Sequence, residues 1–323
     1  MNRTLEPKSL KDILSETFTI YKSNFLRLIA IVAIVMVPFA VMLIIFFSSL
    51  MLLTVELGTE TPSPFIPLIL IPIYLAFFAA FILTAGAVIH AVSEQYFNQP
   101  VSIGRAYSVA WRRMGDMFWA VVLYVLAMVG IFLAAILISI IIATGTFAAS
   151  GTSDWLIPFA IAGTLTFAVA TAAIYLGTIW NFMVQTALLE GCGPRAALSH
   201  SSALVKGSWW RVLGIMLLLS LIVQTIVMII VMMFYIPAMI VAAGDIMTGI
   251  MSEAETFFPT WSMSVPMIGA LIANIISMPI LIIGETLLYF DLRVRKQGYS
   301  LDALANELGL ITTFTDTAAI PPE

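Results

Sequence analysis

Six long apolar runs, near residues 25–54, 65–92, 117–144, 155–188, 210–243 and 263–289, constrain this chain more than any other feature. A helix crosses the bilayer hydrocarbon with about 20 apolar residues, and each run exceeds that length. All fourteen Lys and Arg residues then fall on one side of the resulting map. They occupy the N-terminal stretch (Arg3, Lys8, Lys11, Lys22, Arg27), two connections (Arg105, Arg112, Arg113, then Arg195, Lys206, Arg211) and the stretch after the last run (Arg293, Arg295, Lys296). The other three connections hold Glu56, Glu60, Asp154, Asp245, Glu253 and Glu255, with no Lys or Arg. Basic side chains are retained on the cytoplasmic side during insertion. The expectation is a multi-pass membrane protein with both termini on the cytoplasmic side.

Composition agrees. The chain is 61% hydrophobic and 10% charged, with a mean hydropathy of +1.07, against about a quarter charged in soluble domains. The net charge of -4 and the scatter of basic residues provide no nucleic-acid-binding face. Cys192, the single cysteine, excludes an internal disulfide and a cysteine-rich metal site. It reads as a reduced cytosolic thiol. The first apolar run is too long for a signal-peptide core, so it is expected to remain as the first span.

The excess length of several runs requires tilt, kinks or projection into the headgroup layer. Pro38, Pro67, Pro72, Pro237, Pro266 and Pro279 supply kink points, and Pro158 marks a helix start. Small residues four apart suit close helix packing: Ala76, Ala80 and Thr84; Ala135, Ser139 and Ala143; Ala162, Thr166 and Ala170. Within the spans, Asn274 and Gln224 are expected to hydrogen-bond between helices.

The pattern repeats about every ninety residues. Ser9-Leu10-Lys11-Asp12-Ile13 leads to Phe25, Ser102-Ile103-Gly104-Arg105-Ala106 to Phe118, and Gly193-Pro194-Arg195-Ala196-Ala197 to Trp209. Ser300-Leu301-Asp302-Ala303-Leu304 begins a partial fourth copy. Each opening reads as an amphipathic helix. In the first, Leu10, Ile13, Leu14, Phe18 and Tyr21 form the apolar face. Such helices are expected along the inner membrane surface. The predicted fold is therefore all-α: six transmembrane helices built as three units, each an interfacial amphipathic helix followed by a transmembrane hairpin. The units run about 9–93, 102–188 and 193–290 within one membrane domain, 1–308, followed by a disordered cytoplasmic tail over 309–323.

Three of these segments, SLKDILSETFTIYKSNF (9–25), ALSHSSALVKGSWWRVLG (197–214) and LLYFDLRVRKQGYSLDAL (287–304), resemble the prokaryotic glycerophosphodiester phosphodiesterase membrane-domain family. The resemblance covers about residues 9–308, and YFDLRVRK is its most specific piece. It implies a membrane architecture. The phosphodiesterase activity of that family belongs to a separate soluble barrel, fused in some relatives, which uses paired histidines and metal-binding carboxylates. Such a barrel needs about 250 residues, and residues 290–323 are too few to supply one. The two histidines, His90 and His200, lie in no HxxE or HExxH arrangement.

No Walker loop, GxSxG elbow, CxxC pair or dinucleotide glycine fingerprint is present. GCGPRA at 191–196 reads as a turn before a helix. The strongest candidate site is a set of polar pairs four residues apart at the inner ends of the even-numbered spans. These are His90 with Glu94, Asn181 with Gln185, and Glu285 with Tyr289. Four-residue spacing places each pair on one helix face, and ionisable groups at membrane depth usually face an interior or a cavity. The expectation is a polar, cytosol-open pocket in which Glu285 pairs with Arg293, Arg295 or His90. Asp291 is expected to pair locally with Arg293 or Arg295. Arg112, Arg113, Lys206, Arg211, Arg293 and Arg295 are candidate lipid-headgroup contacts. No cofactor, metal site or catalytic group is expected. The leading functional expectation is a non-enzymatic accessory, lipid-contacting or scaffold protein. The alternative is a small-molecule or lipid transporter using the polar pocket.

Overall fold

A computed structural model describes residues 8–56, 66–97, 99–150, 156–247 and 260–297. Every element among them is helical. The partial fourth copy at 300–304 and the 309–323 tail lie outside the described residues, as do Arg3, Glu60, Asp154, Glu253 and Glu255.

Three short helices each precede long ones. Helix α1 (Leu10–Ser23) leads into α2 (Phe25–Glu56) and α3 (Ile66–Tyr96). Helix α4 (Ile103–Arg112) leads into α5 (Met114–Ser150) and α6 (Leu156–Ile179). The single turn α7 (Met183–Gln185) and a π-helical turn (Thr186–Glu190) follow. Helix α8 (Pro194–Val205) then leads into α9 (Trp209–Met247) and α10 (Thr260–Gln297). Six stretches are long and apolar enough to cross a membrane: Phe25–Met42, Ile71–Tyr96, Met114–Thr146, Phe159–Glu190, Trp209–Val241 and Val265–Lys296. This is the architecture of a multi-pass membrane protein. At about 1.5 Å per residue α9 is roughly 58 Å long, nearly twice the hydrocarbon thickness of about 30 Å. Pro38, Pro72, Pro237, Pro266 and Pro279 lie inside helices that continue through them.

The helix starts follow local chemistry. Ser9 caps α1 by accepting the Asp12 N–H at 3.3 Å, while the Asp12 carboxylate accepts the Ser9 N–H at 2.9 Å. This reciprocal box satisfies two N-terminal donors, and the Ser9 bonds hold the Asp12 carboxyl below its usual range. Helix α8 opens with Gly193 as cap and Pro194 in its first turn, where the missing N–H costs nothing. The sequence GCGPRA thus forms a helix-to-helix turn.

Contacts divide the chain into two units, residues 1–112 with 214–323, and residues 113–213. In the first unit α10 packs on α1, α2 and α3, and α4 packs on α2 and α3. The buried face of α1 is Ile13, Thr17, Ile20 and Tyr21, while Leu10 is exposed. This face is rotated from the expected one. Packing against α10 selects the stripe, and Thr17 satisfies its buried hydroxyl on the Ile13 carbonyl of its own helix at 2.8 Å. Tyr21 donates to the Ile276 carbonyl at 2.9 Å, three residues before Pro279. Tyr107 on α4 donates to the Ile31 carbonyl on α2. Short-helix phenols therefore pin the long helices, and burial raises both hydroxyls above the ordinary tyrosine pKa.

Close approach in this unit relies on glycine. A Cβ on Gly284 would lie 2.6 Å from Leu219 Cδ1, and one on Gly269 would lie 2.8 Å from Phe234 Cγ. The portion of α9 in this unit thus meets α10 at two glycines outside the three expected small-residue stripes. Ala170 and Thr166 of one stripe are exposed. In the second unit α5 packs on α6 and α8, around Met117, Ala120, Phe182 and Ala197, all fully buried.

Candidate functional site

In the first unit, charged and aromatic groups gather where α3 and α10 end. Glu94 has a side chain only 1% exposed. It accepts the Ser102 N–H at 3.1 Å and pairs with Arg105 Nη1 at 3.1 Å. Its partner across one helical turn, His90, brings Nδ1 to 3.9 Å, too long for a hydrogen bond. Among the described residues, His90 Nδ1 is buried with no hydrogen-bond partner. The expected pairing of His90 and Glu94 on one face is present. Arg105 closes it from α4, where the sequence spacing provided no signal.

The C-terminal part of α10 forms a second polar knot. Asp291 accepts Arg295 Nε at 2.9 Å and the Lys8 N–H at 2.9 Å. Arg295 also donates to the Lys8 carbonyl at 3.0 Å. The Lys8 ammonium pairs with Glu16 and donates to the Tyr96 hydroxyl at 3.2 Å. The Tyr96 ring stacks on Phe290 with centroids 4.9 Å apart. One cluster therefore ties the N-terminal segment, the end of α3 and the end of α10 together. The YFDLR stretch is a packing hub: Tyr289, Phe290 and Leu292 are fully buried.

Several expected placements change here. Arg293 is only 3% exposed and donates to the Tyr289 hydroxyl at 3.4 Å. It lies inside the unit rather than at a headgroup-facing surface. Glu285 is half-buried on α10. Asn274 donates to the Ala270 carbonyl of its own helix at 2.8 Å rather than bridging helices. Gln224 is exposed. The anticipated Asp291–Arg295 pair is present.

In the second unit, Asn181 and Gln185 do not share a regular helical face. The helix expected across 155–188 breaks after Ile179, and Asn181 lies in the turn before α7. A side chain from α8 repairs the broken ladder. Ser201 Oγ accepts the Phe182 N–H at 3.1 Å and donates to the Ile179 carbonyl at 2.9 Å. Thr186 adds a bond to the Ala197 carbonyl at 3.0 Å. A π turn inserts one residue per turn into the ladder, and such turns favour functional sites. Here Gln185 is 1% exposed.

The π turn ends at Gly191, whose φ of 63° is left-handed. Arg113 clamps this turn, its Nη1 donating to the Gly191 carbonyl at 3.2 Å, and also lies 3.8 Å from Asp116. Beyond the turn, Glu190 Oε2 lies 2.6 Å from His200 Nδ1. Cys192 Sγ lies 3.5 Å from the Thr186 carbonyl. One ligand-type atom from each of Glu190, Cys192 and His200 falls within 4.8 Å of the others. Burial, then the Glu190 charge, pushes the Cys192 thiol above its usual pKa. These three residues cross a π turn, a left-handed cap and a helix, so no single periodicity could have joined them.

The remaining candidate cations divide by exposure. Arg112, Arg113 and Lys206 are exposed, and Arg211 is half-buried. An open groove of about 380 Å³ lies in the second unit, lined by Trp119, Leu123, Gly193, Pro194, Arg195 and Ala196. Arg195 is exposed, and Trp119 is 57% exposed. Comparisons with known protein families, with curated proteins and with solved structures returned no match.

Proposed function

We propose that this chain is a non-enzymatic accessory or scaffold protein of a prokaryotic inner membrane that contacts anionic lipid on its cytoplasmic side. It is organised as three parallel units, each an interfacial helix and a transmembrane hairpin, in the manner of the glycerophosphodiester phosphodiesterase membrane-domain family. The observation that carries this reading is the distribution of charge along the six apolar helices. Described Lys and Arg residues lie on or next to the short helices, at the starts of α2 and α9, beside the start of α5, and at the end of α10. The opposite connections carry acids alone. Positive-inside retention gives this distribution a direction.

Burial supports the repeat. The short helices begin at Leu10, Ile103 and Pro194, offsets of 93 and 91 residues. Ile13, Ala106 and Ala197 occupy equivalent positions and are fully buried, as are Thr17, Ala110 and Ser201 one turn later. The outward positions of α1, α4 and α8 include Leu10, Trp111 and Arg195, a mixture suited to a headgroup layer. The groove between the start of α8 and Trp119 joins an apolar wall to the exposed Arg195, and its volume is within the range of small-molecule pockets.

Lipid retention tests this reading. The full chain, extracted in detergent and examined by native mass spectrometry, should retain phosphatidylglycerol in preference to phosphatidylethanolamine. Arg195→Glu with Lys206→Glu should weaken that preference about thirtyfold or more, since each surface cation contributes about 1 kcal/mol of attraction to anionic lipid and each reversal also adds repulsion. Retention that follows bulk lipid composition in parent and variant would overturn it. A transport role draws its support from the buried, unbonded His90 Nδ1 beside Glu94. Under that reading His90→Gln would abolish solute flux in proteoliposomes while leaving lipid retention unchanged.

A further inference from the structure

The geometry points to a zinc-class metal site formed by Glu190, Cys192 and His200 beside the π turn. The three side chains offer a carboxylate oxygen, a thiolate sulfur and an imidazole nitrogen, a donor set suited to a borderline-soft divalent ion. Their ligand atoms lie within 4.8 Å of one another. Tetrahedral coordination with bonds near 2.0–2.3 Å separates donor atoms by about 3.3–3.6 Å. The 2.6 Å contact between Glu190 and His200 would open by less than about 1 Å to admit the ion, within side-chain rotation. Any donor pair as far apart as the 4.8 Å limit would close by about 1 Å to reach that spacing.

The fold prepares this arrangement. The left-handed Gly191 reverses the chain between Glu190 and Cys192, which turns both side chains toward α8. A Cβ there would lie 2.5 Å from Arg113 Nη2, so the clamp on this turn needs a glycine. Helix α8 presents His200, and Ser201 and Thr186 fasten α8 to the turn. The His200 side chain is 51% exposed and that of Glu190 is 13% exposed. A fourth coordination position would therefore open to water, giving three protein ligands and an exchangeable site. Charge also balances: one carboxylate and one thiolate neutralise a divalent cation. Binding releases the Cys192 thiol proton to solvent, so affinity rises with pH. This inference is independent of the proposed lipid role.

Cobalt reports on such a site directly. The full chain, freed of any polyhistidine tag and stripped with a chelator, is titrated with Co2+ and then with Zn2+ in competition. The parent should bind one equivalent, with a thiolate-to-cobalt charge-transfer band and the visible absorption of tetrahedral cobalt, both displaced by Zn2+. Cys192→Ser should lose the charge-transfer band, and His200→Gln and Glu190→Gln should each weaken binding about tenfold or more. His200→Cys keeps three ligands, so it should retain one equivalent and show a stronger charge-transfer band, a gain that misfolding cannot mimic. Substoichiometric binding by the parent, or a charge-transfer band that survives Cys192→Ser, would overturn the assignment. So would parent-like affinity in both His200→Gln and Glu190→Gln, or a His200→Cys variant that elutes as the parent does but binds no cobalt.

Discussion

Glu94 and Arg105 respond differently to substitution because one is buried and the other is not. The Arg105 side chain is 57% exposed, while that of Glu94 is 1% exposed. Truncating Glu94 leaves a guanidinium that water can solvate. Truncating Arg105 leaves a buried carboxylate held only by the Ser102 N–H and a distant imidazole. Stranding a buried charge costs about 3–5 kcal/mol, and solvent access through the exposed Arg105 position favours the lower figure. Arg105→Ala should therefore destabilise the protein by about 3 kcal/mol, and Glu94→Gln added to it should recover part of that loss. Thermal unfolding in detergent measures both, and equal midpoints for the single and double variants would contradict the argument. Sequence spacing made the one-turn neighbours legible, as with His90–Glu94 and Asp291–Arg295, because four residues is a helical turn. Arg105 on Glu94, Lys8 on Asp291 and the burial of Arg293 were not legible. Each depends on packing between different elements, which no periodicity within one helix reports.

Elements were legible from their apolar length, and their interruptions were not. The chain from 155 to 188 is uniformly apolar enough to read as one helix, yet it breaks after Ile179 because α8 supplies an alternative partner for the freed backbone. Ser201→Ala removes the acceptor for Phe182 and the donor for Ile179. Leaving such buried groups unsatisfied costs about 1–3 kcal/mol each. A fall in stability of about 2–6 kcal/mol is expected, with faster hydrogen exchange at residues 179–186. Unchanged exchange there would show that the break does not depend on Ser201. The α9–α10 contact gives a second element-scale prediction. Gly269→Ala drives a methyl into the ring and stem of the half-buried Phe234, and Gly284→Ala drives one into the branch of the fully buried Leu219. Overpacking costs about 1–3 kcal/mol, so each substitution should lower the unfolding midpoint. An unchanged midpoint in both variants would contradict the packing. The stripes of small residues marked helices capable of close approach but could not say which faces would meet.

For the whole molecule, hydropathy and the bias of Lys and Arg foretold an all-helical chain with six membrane-length helices. The arrangement as three parallel hairpins is the proposal drawn from the placement of charge. The Glu190–Cys192–His200 cluster was hidden, because residues on a π turn, in the link after a left-handed glycine and on a helix obey no common period. Sidedness is the claim on which the lipid reading and the three-hairpin arrangement both rest. It is tested most directly by labelling single cysteines, introduced into a Cys192→Ser background, with a membrane-impermeant maleimide. The account predicts that Ser252→Cys is modified on intact cells, while Ser108→Cys and Lys206→Cys react only after the membrane is permeabilised. Labelling of Ser108→Cys or Lys206→Cys from outside intact cells would contradict it.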